Sequence, residues 1–357
     1  MILDKTISEG AITLLKKLIS IPSLSRQEDK TAYAIEEFFR ERNIPFSRHL
    51  NNVWARNQFF DKEKPTILLN SHHDTVKPNA SYTKDPFLPI LEGDKLFGLG
   101  SNDAGGPLVS LMAAFEYFFY KSDLKFNLIL AATAEEEISG KNGIEALLPK
   151  LPDIAFGIVG EPTSMDLSVA EKGLLVLDCK MKGKPGHAAR EEGENAIYKA
   201  MTDMEWFRTF RFPKKSATLG EMKMSLTLIH AGAQHNVVPD ECNFTVDVRV
   251  TDAYSLEETI EIIKKNVSCE VMPRSIRLNS SGISKKHVLV KTAEKLGFKT
   301  YGSPTLSDQA LMPFETVKLG PGESSRSHSA DEYIFLSEIK SGVSKYIVLL
   351  EAINNNY

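Results

Sequence analysis

Five short segments carry side chains that could hold and use a metal ion. The first is Asn70-Ser-His72-His73-Asp74-Thr-Val76. A histidine two residues ahead of an aspartate can place imidazole on a metal while the carboxylate orients a ligand from behind. Alone, that spacing serves an ordinary loop pair equally well. The second, Gly98-Leu-Gly-Ser-Asn-Asp103-Ala-Gly-Gly106, sets one carboxylate among glycines just before a helical pattern. It has no Gly-Lys-Ser/Thr ending, and a carboxylate at its heart repels phosphate, so a nucleotide loop is rejected. A turn with an aspartate near a helix start is the plain alternative. The third, Thr133-Ala-Glu135-Glu136-Glu137-Ile-Ser-Gly140, places three carboxylates directly after an apolar run. Such a run is ordinarily a solvated face. At a strand end, however, adjacent like charges are costly unless cations neutralise them, and two neighbours can then divide the labour, one ligating metal and one moving protons.

Gly160-Glu161-Pro-Thr-Ser164 adds another carboxylate after a strand-like run, and Ser327-His328-Ser-Ala-Asp-Glu332 follows Gly320-Pro-Gly322. A turn and a surface histidine are their bland readings. In conjunction the order His, Asp, Glu-Glu, Glu, His offers nitrogen and oxygen ligands without thiolates, which suits catalytic zinc, with cobalt or manganese as substitutes.

Open α/β sheets place their sites where strands end, and the apolar runs Thr66–Ser71, Phe126–Thr133 and Ala155–Val159 each end at one of these segments. They alternate with helical patterns such as Pro107–Tyr120, so the rhythm is α/β with a mostly parallel sheet buried on both faces. Before them, Ile12, Leu14, Leu15, Leu18 and Ile19 mark an amphipathic helix. Ser25-Arg-Gln-Glu28 reads as a capping box opening a second helix through Ala32, Ile35, Phe38 and Phe39. From Leu174 the texture changes to half-polar strands of period two, at 174–181, 224–229 and 244–250, with helical patterns at 196–207 and 256–266. An antiparallel sheet with helices on one face is expected there. Helix and strand patterns return after Gly282, at 288–296 and 317–319. The expectation is a catalytic domain in two parts, 1–173 and 283–357, with 174–282 inserted between them.

A chain of 357 residues is long enough for about two domains, and 42% apolar with 25% charged residues is a globular composition. A net charge of -4 gives no basic surface for nucleic acid, so a small solute is the expected partner. No run approaches the roughly 18 apolar residues of a membrane span, and the start Met1-Ile-Leu-Asp-Lys has no export-signal pattern. Cys179, Cys242 and Cys269 are odd in number and scattered, which points to reduced thiols in a cytoplasmic protein.

These segments, over nearly the whole chain, resemble the zinc aminoacylase and carboxypeptidase superfamily that includes acetylornithine deacetylase, succinyl-diaminopimelate desuccinylase and acetyl-lysine deacetylase. The resemblance implies a di-zinc site in which His72 and Glu161 bind one ion, Glu137 and His328 the other, and Asp103 bridges both, with Asp74 orienting His72 and Glu136 as general base. It also implies that the inserted domain is a dimerisation lid. The signs are Gly183-Lys-Pro-Gly-His187-Ala-Ala, Asn195-Ala-Ile197, Asn236-Val-Val-Pro239 and Asp247-Val-Arg249. In that reading His187 contacts the oxyanion across a homodimer, and Asn236 and Arg249 hold the substrate carboxylate, a task suited to arginine's fixed fork of donors. Arg326 is a further candidate substrate contact, and Ser307-Asp308 resembles another family motif.

Two departures stand out: Asp103-Ala-Gly-Gly lacks the lysine of the family's Asp-Met-Lys-Gly-Gly, and His73 is a second imidazole beside His72. Gly160–Ser164, Glu171-Lys-Gly173 and Gly320-Pro-Gly322 look most like the acetylornithine and acetyl-lysine deacetylases. The expected activity is hydrolysis of an N-acyl amino acid, N-acetyl- or N-succinyl-ornithine first, in arginine biosynthesis. Acetyl-lysine deacetylation, a zinc dipeptidase or carboxypeptidase, and a metal-binding protein without activity are the alternatives.

Overall fold

The computed structural model describes residues 5–190 and 192–356, so the first four positions of the N-terminal reading lie outside the described residues. The chain divides into two compact units, one comprising Met1–Val169, Gly282–Tyr301 and Ser307–Tyr357, the other Ala170–Ser281 and Gly302–Leu306.

The larger unit is organised by a mixed sheet. Strand Thr66–His72 runs parallel to Asn127–Thr133 on one side and Phe156–Val159 on the other, and Thr316–Lys318 continues the parallel set beyond Phe156–Val159. Strands Asn52–Arg56 and Phe46–His49 extend the opposite edge antiparallel. Every residue of Thr66–His72 and Asn127–Thr133 is buried. The reason is visible in their alternation: Ile67, Leu69, Leu128 and Leu130 enter one apolar cluster, while Leu68, Ile129 and Ala131 enter another on the opposite face. Helices Lys5–Ile19, Asp29–Glu41, Gly106–Phe118 and Leu336–Asn356 contribute to the first cluster, and the short helix Ile144–Leu147 to the second. Strands covered on both faces have no polar side to show, so they read as apolar runs.

The capping box expected at Ser25 and Glu28 does not form. Helix Asp29–Glu41 begins at Glu28 without a side-chain cap. Ser25 instead donates its hydroxyl to Asp74, and the buried Glu28 carboxylate accepts from the backbone of Arg26 and Glu135 and from the Asn51 amide.

The smaller unit is an antiparallel sheet in the order Lys223–Ala231, Glu241–Val250, Gly173–Lys182, Glu270–Pro273. Leu175, Leu177, Cys179 and Met181 alternate into a core with Phe244, Val246 and Val248, closed by Ala200 and Phe207 of helix Ala196–Thr209 and by Ile260 and Ile263 of helix Leu256–Asn266. Here a capping box is present, between Ser255 and Glu258.

Candidate metal centre

All five segments singled out in the sequence lie in the larger unit, and their acids and imidazoles converge beyond the carboxyl ends of the parallel strands. His72 closes strand Thr66–His72 and is buried. Its Nε2 lies 3.3 Å from Oδ1 of Asp103, 3.8 Å from Glu136 Oε2 and 3.9 Å from Glu161 Oε1. On the other side, Nε2 of His328 is 3.0 Å from Glu137 Oε2 and 3.6 Å from Oδ2 of Asp103. The two oxygens of Asp103 are thus divided, one toward His72 and one toward His328. His72, Asp103 and Glu137 offer ligand atoms all within 4.8 Å of one another, as do His72, Glu136 and Glu161.

Each side chain is aimed by its backbone. Asp103 sits in a loop entered by Gly100, whose φ of 73° lies in the left-handed region that suits glycine, and a Cβ there would meet the Thr75 side chain at 2.5 Å. Within the glutamate run, Glu135 turns away: its carboxylate takes the Asn142 side-chain amide at 2.9 Å and fills the space where a Cβ on Gly140 would stand. That leaves Glu136 and Glu137 to face the cluster. Nδ1 of His72 meets the Asp74 backbone carbonyl at 3.0 Å and the Asp74 carboxylate at 3.4 Å, so Nε2 is the nitrogen presented to the acids. The Asp74 carboxylate also accepts the backbone N–H groups of Glu136 and Glu137 at 3.1 and 3.2 Å.

His73 is not part of the cluster: its ring nitrogens are taken by the Thr31 hydroxyl and the Asn51 carbonyl, both at 2.9 Å. Burial holds this imidazole neutral, with its pKa lowered to about 4. Asp308 lies beneath, accepting the Thr133 hydroxyl at 2.7 Å, and burial raises its pKa to about 6. Ser307 accepts the Gln309 N–H at 3.4 Å.

The electrostatics record a shortage of positive charge. Burial, and then the neighbouring carboxylates, raise Glu136 well above the usual carboxylate range and Glu161 to about 8, and Glu137 rises for the same reasons. Burial alone would lower His72, but Glu136, Asp103, Asp74 and Glu161 outweigh it and raise the imidazole well above its ordinary value. His328 is raised to about 9 by its hydrogen bond with Glu137. A carboxylate-rich, thiolate-free donor set of this kind, with one aspartate opening to both sides, fits hard or borderline divalent cations.

Arg326 is engaged within the fold. Its guanidinium forms two bonds to Glu338, at 2.7 and 3.0 Å, and lies 4.8 Å from the Tyr333 ring centroid, so in this structure its fork is paired inside the fold. Three candidates belong to the smaller unit. His187 and Asn236 are neighbours across the short pair Gly186–His187 and Val237–Val238, where Ala188 N–H donates to the Asn236 carbonyl at 3.0 Å. Arg249 is paired with Asp247 through Nε and Nη2, at 2.9 and 3.1 Å.

Two contributors escaped the sequence reading. Ser25, mistaken for a cap, donates to Asp74 at 2.7 Å. Glu332, visible only as the end of the His328 segment, is buried and accepts the N–H groups of Gly100, Asn102 and Asp103. Burial, followed by the Asp103 charge, raises Glu332 to about 8.

An α/β sheet delivering two imidazoles and several carboxylates to one point makes a candidate centre for divalent cations, of the kind that suits metal-assisted hydrolysis. Residues 68–352 match the model of peptidase family M20/M25/M40, and the chain belongs to that family. It is similar to the acetylornithine deacetylase of Buchnera aphidicola subsp. Schizaphis graminum, 28% identical over 92% of this chain and 94% of that one. It is also similar to the [LysW]-lysine/[LysW]-ornithine hydrolase of Sulfurisphaera tokodaii, 26% identical over 98% of each chain. Among solved structures, the fold is similar to that of a dinuclear metal-binding peptidase of the M20 family from Bacillus subtilis, with a TM-score of 0.73 and 18% identity over 98% of this chain and 99% of that one.

Proposed function

We propose that this enzyme removes the acyl group from an N-acyl amino acid, with N-acetyl- or N-succinyl-ornithine as its first candidate substrate, as a step of arginine biosynthesis in the cytoplasm. The observation that carries the reading is the division of Asp103, one oxygen 3.3 Å from His72 and the other 3.6 Å from His328. His72 and Glu161 would hold one zinc ion and Glu137 and His328 a second, with Asp103 bridging; cobalt or manganese could substitute. Bound there, the pair supplies a water of lowered pKa and a Lewis acid for the amide carbonyl.

The chain's own groups do the rest. Glu136 removes the water's proton and returns it to the leaving nitrogen, so amide and water become carboxylate and amine. His187, reaching across the homodimer, donates to the developing oxyanion. Its Nδ1 already accepts the Ala189 N–H at 3.1 Å, which leaves the ring proton on Nε2. Asn236 and Arg249 receive the substrate carboxylate, a task suited to arginine's fork of donors.

Residues 174–282 are read as an inserted lid through which two copies pair. Strand Lys223–Ala231 is an edge of its sheet, and Leu228 and Ile229 on it are 52% and 56% exposed, with Tyr198 and Met201 of helix Ala196–Thr209 at 71% and 58%. The three free cysteines are buried, in keeping with a reducing compartment.

A second reading keeps the site and changes the leaving amine. The similarity to a hydrolase named for both lysine and ornithine supports an acyl-lysine substrate. Amine release is followed from N-acetyl-ornithine, N-succinyl-ornithine, N-acetyl-lysine, succinyl-diaminopimelate and dipeptides, with zinc or cobalt and with a chelator. Chelator-sensitive release from an acyl-ornithine supports the proposal; release from acyl-lysine or dipeptides alone replaces it, and no release from any substrate with metals bound defeats it.

A further inference from the structure

Asp103 can bridge two ions only if its carboxylate is held broadside between them, and its own loop does not supply that rigidity. The backbone at Asp103 is non-helical, with φ -117° and ψ 100°, between the left-handed Gly100 and the start of helix Gly106–Phe118. N–H groups in such a stretch have no ladder to join. Three of them converge on one side chain: Glu332 accepts from Asn102 at 2.8 Å and Asp103 at 2.9 Å through Oε1, and from Gly100 at 3.0 Å through Oε2. The Glu332 carbonyl takes a fourth, from Gly98, at 3.0 Å.

Glu332 lies on the segment that carries His328. The other end of that segment is tied to the same loop, because the Asn102 side chain accepts from Glu323 N–H at 3.0 Å and donates to the Glu323 carbonyl at 3.1 Å. Both ends of the His328 segment are therefore stitched to the Asp103 loop, and His328, between those ends, comes within 3.6 Å of Asp103. His72 and Glu161 depend on different supports: His72 on a strand end and Asp74, and Glu161 on the residue before it, whose N–H bonds to the Asn70 carbonyl at 2.6 Å.

We propose that Glu332 is the positioning residue of the bridging carboxylate, and that it sets the ion held by Glu137 and His328 more strongly than the ion held by His72 and Glu161. The inference rests on the reading of Asp103 as the bridge. Outer partners of metal ligands commonly account for about 10- to 100-fold in metal affinity. Here the loss should be lopsided, because one stitch fixes both Asp103 and His328.

The test is a zinc titration of the full chain by calorimetry against a competing chelator, with melting of the metal-free protein measured alongside. Glu332→Ala removes both acceptor oxygens and so all three bonds; Glu332→Gln keeps one oxygen for Asn102 and Asp103 and so serves if the alanine variant does not fold. The expected result is one site near wild-type affinity and one weakened about 10- to 100-fold, with glutamine milder than alanine. Two sites of wild-type affinity in Glu332→Gln, or both sites weakened equally together with a lower melting temperature, overturn the proposal. Asp103→Asn is titrated in parallel: if it keeps both ions, the bridge itself is wrong and the inference falls with it.

Discussion

The backbone N–H of Glu136 donates to Oδ1 of Asp74 at 3.1 Å, and the same oxygen lies 3.4 Å from Nδ1 of His72. One carboxylate thus aims the proposed general base and a proposed ligand together. Asp74→Asn would turn an amide N–H toward at least one of the donors now served, the Glu136 and Glu137 N–H groups and the Ser25 hydroxyl. The expected outcome is a loss of about 10- to 100-fold in zinc affinity. A competition titration with a chromophoric chelator reads it, and unchanged affinity would show that His72 needs no such support.

Glu136 is assigned to proton transfer and not to ligation. Glu136→Gln should keep two zinc ions per chain and lower kcat by about 10²- to 10⁴-fold, the usual share of a positioned acid or base. Metal content by mass spectrometry and steady-state rates decide it. Full turnover in the variant removes the role, and loss of an ion reassigns Glu136 as a ligand.

The metal-free protein should lose stability as pH rises from 7 to 9. Glu161 has a folded pKa of about 8 against an ordinary 4.5, so the native state holds its proton where the unfolded chain releases it. His328, at about 9 against 6.5, and His72, also raised, contribute stability that is complete below their unfolded values and lost as pH climbs through the folded ones. Asp74 and Asp103 are lowered and act only in acid, and His73, neutral down to about 4, costs stability only below 6.5. In the 7 to 9 window Glu161, His328 and His72 all act in the same direction. Metal binding releases protons and should reverse the trend. Calorimetric melting with and without zinc tests this, and a metal-free melting temperature that rises with pH contradicts the charge balance described.

If copies pair through the edge strand Lys223–Ala231, a charge there should separate them. Leu228→Lys or Ile229→Lys places an ammonium where 52% or 56% of an apolar side chain is exposed, so it should leave the unit folded and shift sedimentation from dimer to monomer. A wild-type monomer would refute the pairing outright.

Arg326→Ala should act on stability alone. Its bonds to Glu338 are inside the fold, with 12% and 26% of the two side chains exposed, and removing one partner of such a pair costs about 1 to 3 kcal/mol. KM should not change; a large rise in KM with unaltered melting would return Arg326 to the substrate.

Much of the site can be read along the chain because acids and histidines sit directly after apolar runs, and a charge there must face something other than the core. His72, Glu136, Glu137 and Glu161 all announce themselves this way. The sheet is legible for the same reason: strands such as Asn127–Thr133, buried on both faces, leave uninterrupted apolar stretches. What does not show is partnership across distance. Ser25 and Glu28 have the spacing of a helix cap, and only tertiary contacts reveal that each serves a remote segment. Glu332 works through backbone N–H groups, which any sequence supplies, so no residue type elsewhere marks its target. Arg326 and Glu338 illustrate the converse, a charge beside the site spent on a neighbour twelve positions along the chain.

The clustered residues come from both flanks of the segment Ala170–Ser281, which forms most of the smaller unit. During synthesis, His72, Asp103, Glu136, Glu137 and Glu161 leave the ribosome well before His328 and Glu332. Until then a nascent chain carries the acids and one imidazole of the cluster without the other, and its aspartate loop is unstitched. If two ions bind as proposed, tight uptake of the one held by His328 would report that translation has passed residue 332 and that the two parts of the larger unit have closed on each other, so the metal would inspect the finished fold.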